Sequence, residues 1–244
     1  MARNHSAEIR DKGASFDLLW EAPTLPRRGP KPSFTLGDTI QAGIAIADAE
    51  GLAAVTMNRV AIKTGVTTMA LYRYVPGKSA LVDLMADEVM KCPPELCGQD
   101  WRADISQWAH ANLFLIRCHP WLFDVISTRA AVGPNWARWL DAGLQALAKL
   151  PLSASEMLAV LLLVDGHFRA SAQLMVGAKA TAEWAANFGK MLHKVAGNER
   201  YPTLTDMIMA GRFEEPGLDL DGMFQFGLDR ILDGVDDFVA SRRP

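Results

Sequence analysis

The stretch from 56 to 85 constrains the fold more than any other part of this sequence, because it has the pattern of two short helices that meet at a glycine. Val60 and Ala61 are apolar and lie at the offsets that one buried helix face needs. Gly65 follows Ala61 by four residues and supplies the positive-φ backbone of a tight helix-to-helix turn. Two such helices cannot bury a core alone, so the pattern predicts a third, supporting helix over Leu36–Glu50.

The second helix of this pattern has a surface typical of a nucleic-acid contact. It begins near Thr67, and its small, polar and aromatic side chains surround the core residues Leu71 and Val75. A helix-turn-helix places its second helix in the major groove of DNA. Lys78 then starts the next helix, where its ammonium and the free backbone N–H groups can meet one phosphate together. The alternative is an ordinary pair of core helices joined by glycine, and the polar and aromatic surface argues against it.

Several short sequence marks follow one another along the chain: ADAEGL at 47–52, TMNRVA at 56–61, TGV at 64–66, ALYRYVPGK at 70–78, HPWL at 119–122, VDG at 164–166 and FGLDRILDG at 226–234. By the first four, the segment from Ile40 to about Met90 resembles the DNA-binding domain of the tetracycline-repressor (TetR) family of bacterial transcription regulators. By the other three, the remainder resembles more weakly the C-terminal half of the tetracycline repressor itself. The resemblance implies an all-α homodimer that binds an operator and lets go when a small molecule binds its C-terminal domain.

The resemblance also implies which residues meet DNA. Asn58, Thr68 and Arg73 stand where the tetracycline repressor itself has Arg, Gln and Trp, so the mode of contact carries over and the operator sequence does not. Asn pairs well with adenine, which is one reason to expect a different operator. The predicted DNA contacts of the helix-turn-helix are Met57, Asn58, Thr67, Thr68, Met69, Ala70, Tyr72, Arg73, Tyr74 and Lys78.

A short basic run precedes the first predicted helix. Arg27, Arg28 and Lys31 are separated by prolines that keep the segment extended. An extended basic arm can enter the minor groove beside the main site, as homeodomain arms do. We therefore add Arg27 and Arg28 to the predicted DNA contacts; the alternative is a solvated linker.

Composition limits the classes to which the protein can belong. The chain has 244 residues and a net charge of −3; residues 1–91 carry 11 basic and 10 acidic residues, and residues 92–244 carry 14 and 18. An acidic C-terminal part (92–244) and a slightly basic N-terminal part (1–91) are compatible with a protein that binds an operator and has weak non-specific affinity for DNA. No apolar run approaches about 20 residues, so no membrane span is expected. The N-terminus has no apolar stretch of a signal peptide, which predicts a cytoplasmic protein.

Neither catalysis nor a cofactor is predicted. The five histidines are scattered, and the sequence has no HExxH, GxSxG, P-loop or GxGxxG motif. Cys92 and Cys97 have no second pair and no nearby histidine, so we expect reduced thiols and no metal. The expectation is a protein that is not an enzyme.

From the junction at Pro93–Pro94 onward the pattern is helical, and no segment alternates with the period of a strand. The predicted fold class is therefore all-α, with an N-terminal helix-turn-helix three-helix domain and a C-terminal helical domain for ligand binding and dimerisation. Ser153 and Glu156 resemble a capping box that opens the longest helix. The predicted helices of the C-terminal half are 101–118, 120–128, 134–150, 153–180, 181–196 and 220–241, with 201–218 as a mobile loop.

The resulting domain prediction has three parts. Residues 1–34 form an N-terminal extension with the basic, proline-rich arm. Residues 35–91 form the helix-turn-helix DNA-binding domain, and residues 92–244 form the effector-binding and dimerisation domain.

The C-terminal half has more apolar surface than one subunit needs. The helix from Ser153 is apolar almost all round, and a helix apolar on every side must be buried on every side. Together with 220–241, or with 181–196 in its place, it predicts a two-fold, four-helix interface between two copies. The alternative is the central core helix of a monomer.

The same helix contains charged residues that suggest a ligand pocket. Asp165, His167 and Arg169 interrupt its apolar run, and such groups must be paired or line a cavity. The alternative is an ion pair between subunits and a core histidine. Aromatic side chains elsewhere could wall a pocket for a flat apolar effector. The predicted effector-binding residues are Trp108, Phe114, Trp121, Trp139, His167, Arg169 and Met175.

Three function classes remain open at this stage. The first, which we favour, is a repressor that binds a palindromic double-stranded DNA operator as a homodimer and is released by a small apolar effector. The second is a DNA-binding regulator without an effector. The third is a small-molecule-binding helical protein with a vestigial DNA-binding domain, and the intact second helix argues against it.

Overall fold

The structure is a computed structural model and describes residues 16–20, 34–128, 132–176, 178–213 and 219–242. Within these ranges every regular element is helical, which confirms the all-α prediction. A short helical stretch occupies 16–20, and a 3-10 helix spans Leu52–Ala54. The α-helices are α1 (Leu36–Glu50), α2 (Met57–Thr64), α3 (Thr68–Leu71), α4 (Lys78–Val89), α5 (Trp101–Cys118), α6 (Trp121–Thr128), α7 (Pro134–Leu147), α8 (Ala154–Val176), α9 (Ala178–Val195), α10 (Pro202–Met209) and α11 (Leu220–Ala240).

The supporting helix α1 begins and ends where its sequence directs. Thr35 and Asp38 form a reciprocal capping box at its start, which satisfies two backbone N–H groups that the first turn leaves free. Gly51 follows its last residue with φ 83°, a conformation that glycine adopts without strain. Buried Ile40 and Ile44 lie on the face that α1 turns to the core.

The corner between α2 and α3 has the geometry that the glycine predicted. Gly65 adopts φ 71° and ψ 23°, in the left-handed region. Thr56 caps α2 by accepting a bond from Arg59 N (3.2 Å), and Thr67 caps α3 by accepting one from Ala70 N (3.2 Å). Buried side chains on both sides of the corner, including Val60, then form its core.

Helix α3 is shorter than the sequence suggested. The prediction ran to Tyr74, whereas the α-helix ends at Leu71 and residues 72–74 form turns. Tyr74 N bonds back three residues to Leu71 O (2.9 Å). The cause is Pro76, because a proline disfavours helical backbone in the residue before it and so ends a helix nearby.

Helices α4 and α7 meet at a buried carboxylate. Asp87 accepts bonds from Asn135 N (3.0 Å), Asn135 Nδ2 (2.9 Å) and Trp136 N (3.3 Å). A Cβ on Gly133 would lie 2.1 Å from Asp87 Oδ1, so the close approach needs a glycine there. Burial raises the pKa of Asp87 above its ordinary value, while the bonds from Trp136 and Asn135 oppose that rise by stabilising the carboxylate.

By its internal contacts the chain divides into two compact units, residues 1–162 and 163–244. The first unit contains α1 to α7 and the start of α8. The second contains the rest of α8 with α9, α10 and α11. Our boundaries at 34/35 and 91/92 follow motif and composition instead, and they stay a prediction.

The second unit corrects one prediction. We expected a loop over 201–218, but 202–209 form α10. Pro202 occupies the first helical position, where its missing N–H is not needed and its fixed φ suits a helix. Thr205 Oγ1 donates to Val195 O (3.0 Å) and ties α10 to the end of α9. The remainder of the predicted loop includes 214–218, which lie outside the described residues.

Helix α8 begins with the predicted capping box and contains a long apolar stretch. Ser153 Oγ accepts from Glu156 N (3.4 Å) while Ser153 N donates to the Glu156 carboxylate (2.8 Å), which confirms the capping box. The stretch Ala154–Met175 is long and apolar enough to cross a membrane by length and composition alone, which corrects our statement that no such run exists. One helix of this kind is weak support for a span, because the core helix of a soluble protein passes the same test.

Candidate nucleic-acid interface and effector site

The surface of the corner carries most of the predicted DNA contacts. Met69 and Tyr72 are 75 % and 47 % exposed, large values for side chains of that size. Asn58, Thr67 and Arg73 are exposed as well, and Thr68 and Ala70 are half-buried. The corner therefore presents polar, apolar and aromatic side chains to solvent.

Two predicted contacts have a structural role in this chain. The Met57 side chain is buried at 7 % exposure, so what it offers to a ligand is its backbone N–H in the first turn of α2. Tyr74 packs edge-on against Phe34, with ring centroids 5.5 Å apart. This contact holds the segment before α1 against the end of the turn that follows α3.

The start of α4 is open to an anion. Its N-cap is Gly77, and no side chain caps the helix. Lys78 is exposed in the first turn of α4, and its ammonium donates to Leu52 O (3.1 Å). A carbonyl is a weaker partner for an ammonium than a phosphate. Lys78 is thus held near the position that its predicted role requires.

An ion pair that sequence reasoning missed joins α1 to α2. Arg59 on α2 forms a two-pronged ion pair with Glu50, the last residue of α1. The bond from Arg59 lowers the pKa of Glu50, although both groups are solvent-exposed. The signal was available, because both residues lie within marks that carry the family resemblance.

The predicted DNA contacts also include the basic arm before α1. Arg27, Arg28 and Lys31 lie outside the described residues. The helical stretch at 16–20 is described, and Trp20 Nε1 donates to Val132 O (2.9 Å) in the first unit.

The three tryptophans predicted for the effector site are packed in the first unit. Trp108, Trp121 and Trp139 are 6 %, 3 % and 2 % exposed. Their indole N–H groups donate to Trp139 O (2.9 Å), Asp48 Oδ1 (2.6 Å) and Met90 O (2.7 Å), respectively. These N–H groups are therefore already used within the protein, and a ligand would meet the ring faces.

The remaining effector candidates lie in varied surroundings. Phe114 on α5 is 63 % exposed. In the second unit, His167 Nε2 donates to Phe224 O (2.8 Å) and its ring stacks on that of Phe224, with centroids 5.2 Å apart. Arg169 pairs with Asp165 one turn earlier (2.6 Å). Met175, near the end of α8, is half-buried.

A cavity of about 870 Å³ lies elsewhere in the first unit, between the segment after Pro93 and α7. Arg138 and Lys149 lie on its wall together with small apolar side chains. None of the predicted effector residues lines it.

Matches to known proteins cover both halves of the chain. The family described as "Bacterial regulatory proteins, tetR family" matches residues 40–85. The family described as "Tetracyclin repressor-like, C-terminal domain" matches residues 93–239. The chain is 38 % identical over 246 residues to "HTH-type transcriptional repressor DrrR1" of Streptomyces coeruleorubidus, covering 96 % of this chain and 88 % of that protein. It is 26 % identical to an "HTH-type transcriptional regulator" of Saccharopolyspora erythraea, covering 89 % and 90 %.

Solved structures share the fold at lower identity. Apo ActR from Streptomyces coelicolor has a TM-score of 0.73 and 22 % identity, and the match covers 88 % of this chain and 100 % of that chain. ActR in complex with actinorhodin has a TM-score of 0.72 and 24 % identity, with 86 % and 98 % covered.

Proposed function

The chain belongs to the tetracycline-repressor family of bacterial regulatory proteins and is a DNA-binding transcriptional regulator; on that premise we propose that it is a homodimeric repressor released from its operator by a flat, largely apolar effector. The observation that carries the DNA half of the proposal is the corner at Gly65. Its left-handed turn presents α3 outward with Met69 and Tyr72 exposed.

We assign different roles to the exposed residues of the corner. Tyr72 and Lys78 hold phosphates, since both side chains are exposed and Lys78 is the first residue of α4. Asn58, Thr68 and Arg73 set the base sequence, because amide, hydroxyl and guanidinium groups read base edges. Thr67, Met69 and Ala70 complete the contact surface, Met57 contributes its backbone N–H, and Tyr74 stays a predicted contact beside its packing on Phe34. Arg27 and Arg28 enter the neighbouring minor groove in this proposal.

The dimer follows from apolar faces that a single chain leaves uncovered. On α8, Leu158 and Leu162 are 42 % and 61 % exposed; on α11, Met223 and Phe226 are 52 % and 64 % exposed. Two copies would bury these faces against each other in a four-helix interface. The apolar length of α8 serves this contact in our proposal.

The effector class is suggested by relatives of the same fold. ActR has been solved with actinorhodin and with (S)-DNPA. In this chain we propose that an effector meets aromatic ring faces of the first unit, those of Trp108, Phe114, Trp121 and Trp139; His167, Arg169 and Met175 stay predicted contacts of the second unit, taken by itself. The indole N–H groups of Trp108, Trp121 and Trp139 are used within the protein, so in this proposal the effector stacks on their rings.

The test starts from an operator enriched from random DNA duplexes by the full-length protein. Polycyclic aromatic compounds are then titrated in, with actinorhodin as the first probe. Fluorescence anisotropy measures the release of the labelled duplex. We expect at least one probe to release DNA at a concentration that also quenches tryptophan fluorescence. If every probe leaves the complex intact, the effector half of the proposal is wrong.

A second candidate is a regulator gated without a small molecule. The packing of Trp108, Trp121 and Trp139 favours it, because all three are at most 6 % exposed in this structure. The same titration separates the two functions, since this candidate binds the operator and ignores every probe.

A further inference from the structure

One cavity of the first unit has no part in the DNA contacts or in the proposed effector site. It is the cavity of about 870 Å³ whose walls are drawn from residues 93–98 and from residues 137–149 of α7 and the turn after it. Sites for small molecules are concave and largely apolar, with volumes of roughly 300–1,000 Å³ and a few polar groups that fix the orientation of the ligand. The cavity has these properties, and we call it the α7 groove.

The walls of the α7 groove are lined mainly by short or rigid apolar side chains. Pro93, Pro94 and Leu96 lie on one wall. On the other wall, Ala142 and Ala146 are one turn apart, so their methyl groups lie on the same face of α7. An alanine leaves open the space that a longer side chain would fill. The groove therefore has room for an apolar group between its walls.

Hydrogen bonds within the protein hold the proline-containing wall in place. Asp104 in the first turn of α5 is 1 % exposed and accepts from Cys97 N (2.9 Å) and Gly98 N (2.8 Å). Gln107 Nε2 donates to Glu95 O (3.2 Å). Gly98 has φ 68°, in the left-handed region that glycine adopts without strain. Because this wall is already ordered, a ligand is spared the cost of ordering it.

Two cations lie at opposite ends of the α7 groove. Arg138 is in the second turn of α7 and Lys149 follows eleven residues later, which corresponds to roughly 16 Å along the helix axis. Arg138 Nη1 donates to Lys91 O (2.9 Å) and to Asn135 Oδ1 (3.5 Å), and Lys149 Nζ donates to Gly98 O (2.5 Å). These acceptors are neutral. A carboxylate is a stronger partner for a cation, because a bond between charged groups is about twice as strong.

The polar side chains of the groove favour a ligand with an acid group at one end. Asp141 is the carboxylate of the lining and accepts from Gln145 Nε2 (2.5 Å), so the lining carries a net charge of +1. This sign is opposite to that of residues 92–244, which carry 14 basic and 18 acidic residues. Both bonds of Arg138 come from Nη1, so Nε and Nη2 can donate to a carboxylate by two parallel bonds. Asp141, one turn further on, disfavours a second acid group in the middle of the ligand.

We propose that the α7 groove binds an elongated organic acid, with its carboxylate on Arg138 and its apolar chain along Ala142 and Ala146. These alanines follow Arg138 by four and eight residues, which places them roughly 6 and 12 Å further along one face of the helix. The aliphatic stem of Lys149 covers the far end of the chain while its ammonium stays on Gly98 O. The site goes beyond the proposed function, because none of the proposed effector residues lines it.

The experiment uses Cys97 as a reporter, because this exposed thiol lies on the wall of the groove. Full-length protein with Cys92→Ser and Cys118→Ser keeps Cys97 as its only thiol. Its rate of alkylation by N-ethylmaleimide is measured with octanoate or octanol as the probe. Octanoate at about four times its Kd should slow the reaction about fivefold, since only the free groove reacts. Octanol at the same concentration should have little effect, because it lacks the acid group.

Two variants in this background test the assigned contacts, each compared with itself without probe. Arg138→Gln removes the charge and should abolish the protection by octanoate. Ala142→Phe fills the groove without changing any charge, so it should repeat the loss even if Arg138→Gln disturbs the bond to Lys91. Lys190→Gln is the matched control, since it removes an exposed cation from α9 in the second unit, and its protection should equal that of the parent protein.

Three results would overturn the inference: octanoate leaves the alkylation rate unchanged, octanol slows it equally, or Arg138→Gln and Ala142→Phe both keep the protection. A polyglutamate peptide that protects Cys97 where octanoate does not would also overturn it, by identifying the groove as a docking site for an acidic segment of another protein. The measurement contains no DNA, so a failure of this site and a failure of the proposed release by an aromatic effector are seen separately.

Discussion

Individual side chains in this protein act mainly as connectors between elements. Asp87 shows the balance of forces at one of them. Burial opposes its charge, and three bonds from Asn135 and Trp136 favour it. A buried carboxylate with positioned donors is costly to alter, because a replacement leaves those donors without partners.

Asp87→Asn is therefore expected to lower the free energy of unfolding by about 1–3 kcal/mol at pH 7, because its amide nitrogen would face N–H donors. The pH dependence has a definite sign. A folded pKa above the unfolded value of 3.8 means that the contribution of Asp87 is fully present below that value and is lost as pH rises through the folded pKa. Urea denaturation of the wild type and of Asp87→Asn, at pH values from below 3.8 upward, should show that the difference between their free energies of unfolding shrinks as the pH rises. A difference that grows with pH would contradict the assignment.

Lys78 carries the second prediction at this scale. Lys78→Ala should weaken binding to all DNA sequences and reduce the slope of log affinity against log salt by about one, because one phosphate contact is removed. Lys63→Ala is the matched control, since Lys63 is an exposed cation of α2 without a predicted contact. The slope is measured by fluorescence anisotropy. If Lys78→Ala leaves it unchanged, Lys78 does not contact a phosphate.

Among the elements, those governed by local chemistry were predictable and those governed by long-range contact were not. Thr56 and Thr67 cap their helices because of the few residues that follow each. The end of α3 was predicted too late in the chain, because Pro76 disfavours helical backbone in the residue before it. Helix α10 was not predicted because Pro202 was taken as a sign of a loop, whereas it occupies the first position of the helix. The bond from Trp121 to Asp48 joins residues 73 apart, and no local pattern signals it.

Helix α11 has an exposed face and a buried face, and substitutions on the two faces should have different effects. Phe226 is 64 % exposed and Leu232 is 1 % exposed. Phe226→Glu should convert the dimer to a monomer with unchanged helix content, because it places a charge only on the proposed interface. Leu232→Glu should unfold the second unit, because it buries an unpaired charge. Sedimentation with circular dichroism checks both, and a dimeric Phe226→Glu would refute the proposed interface.

For the whole molecule, neither family match covers residues 1–39. The described part of that segment is tied to the first unit by Trp20 and by the buried ring of Phe34. The basic run with Arg27, Arg28 and Lys31 lies in the sequence between these two points, and its proposed contact with DNA is tested by deletion.

Deletion of residues 1–31 should leave the fold and the dimer intact and weaken operator binding about tenfold at low salt, since phosphate contacts release counterions. The melting temperature should fall only slightly, because the bond lost from Trp20 contributes about 1 kcal/mol. The double variant with Arg27 and Arg28 both changed to Ala should reproduce the DNA effect without the melting effect. Equal affinity of the truncated and full chains at every salt concentration would make the segment a linker.

The central claim is that two copies of this chain read DNA through the corner at Gly65. The most direct measurement is the sequence and stoichiometry of the duplex that the full-length protein enriches from random DNA. The account predicts a palindrome with half-sites about 34–36 Å apart, bound by two protomers and lost when Arg73 is changed to Ala. An enriched site without two-fold symmetry, or one that Arg73→Ala binds unchanged, would contradict it.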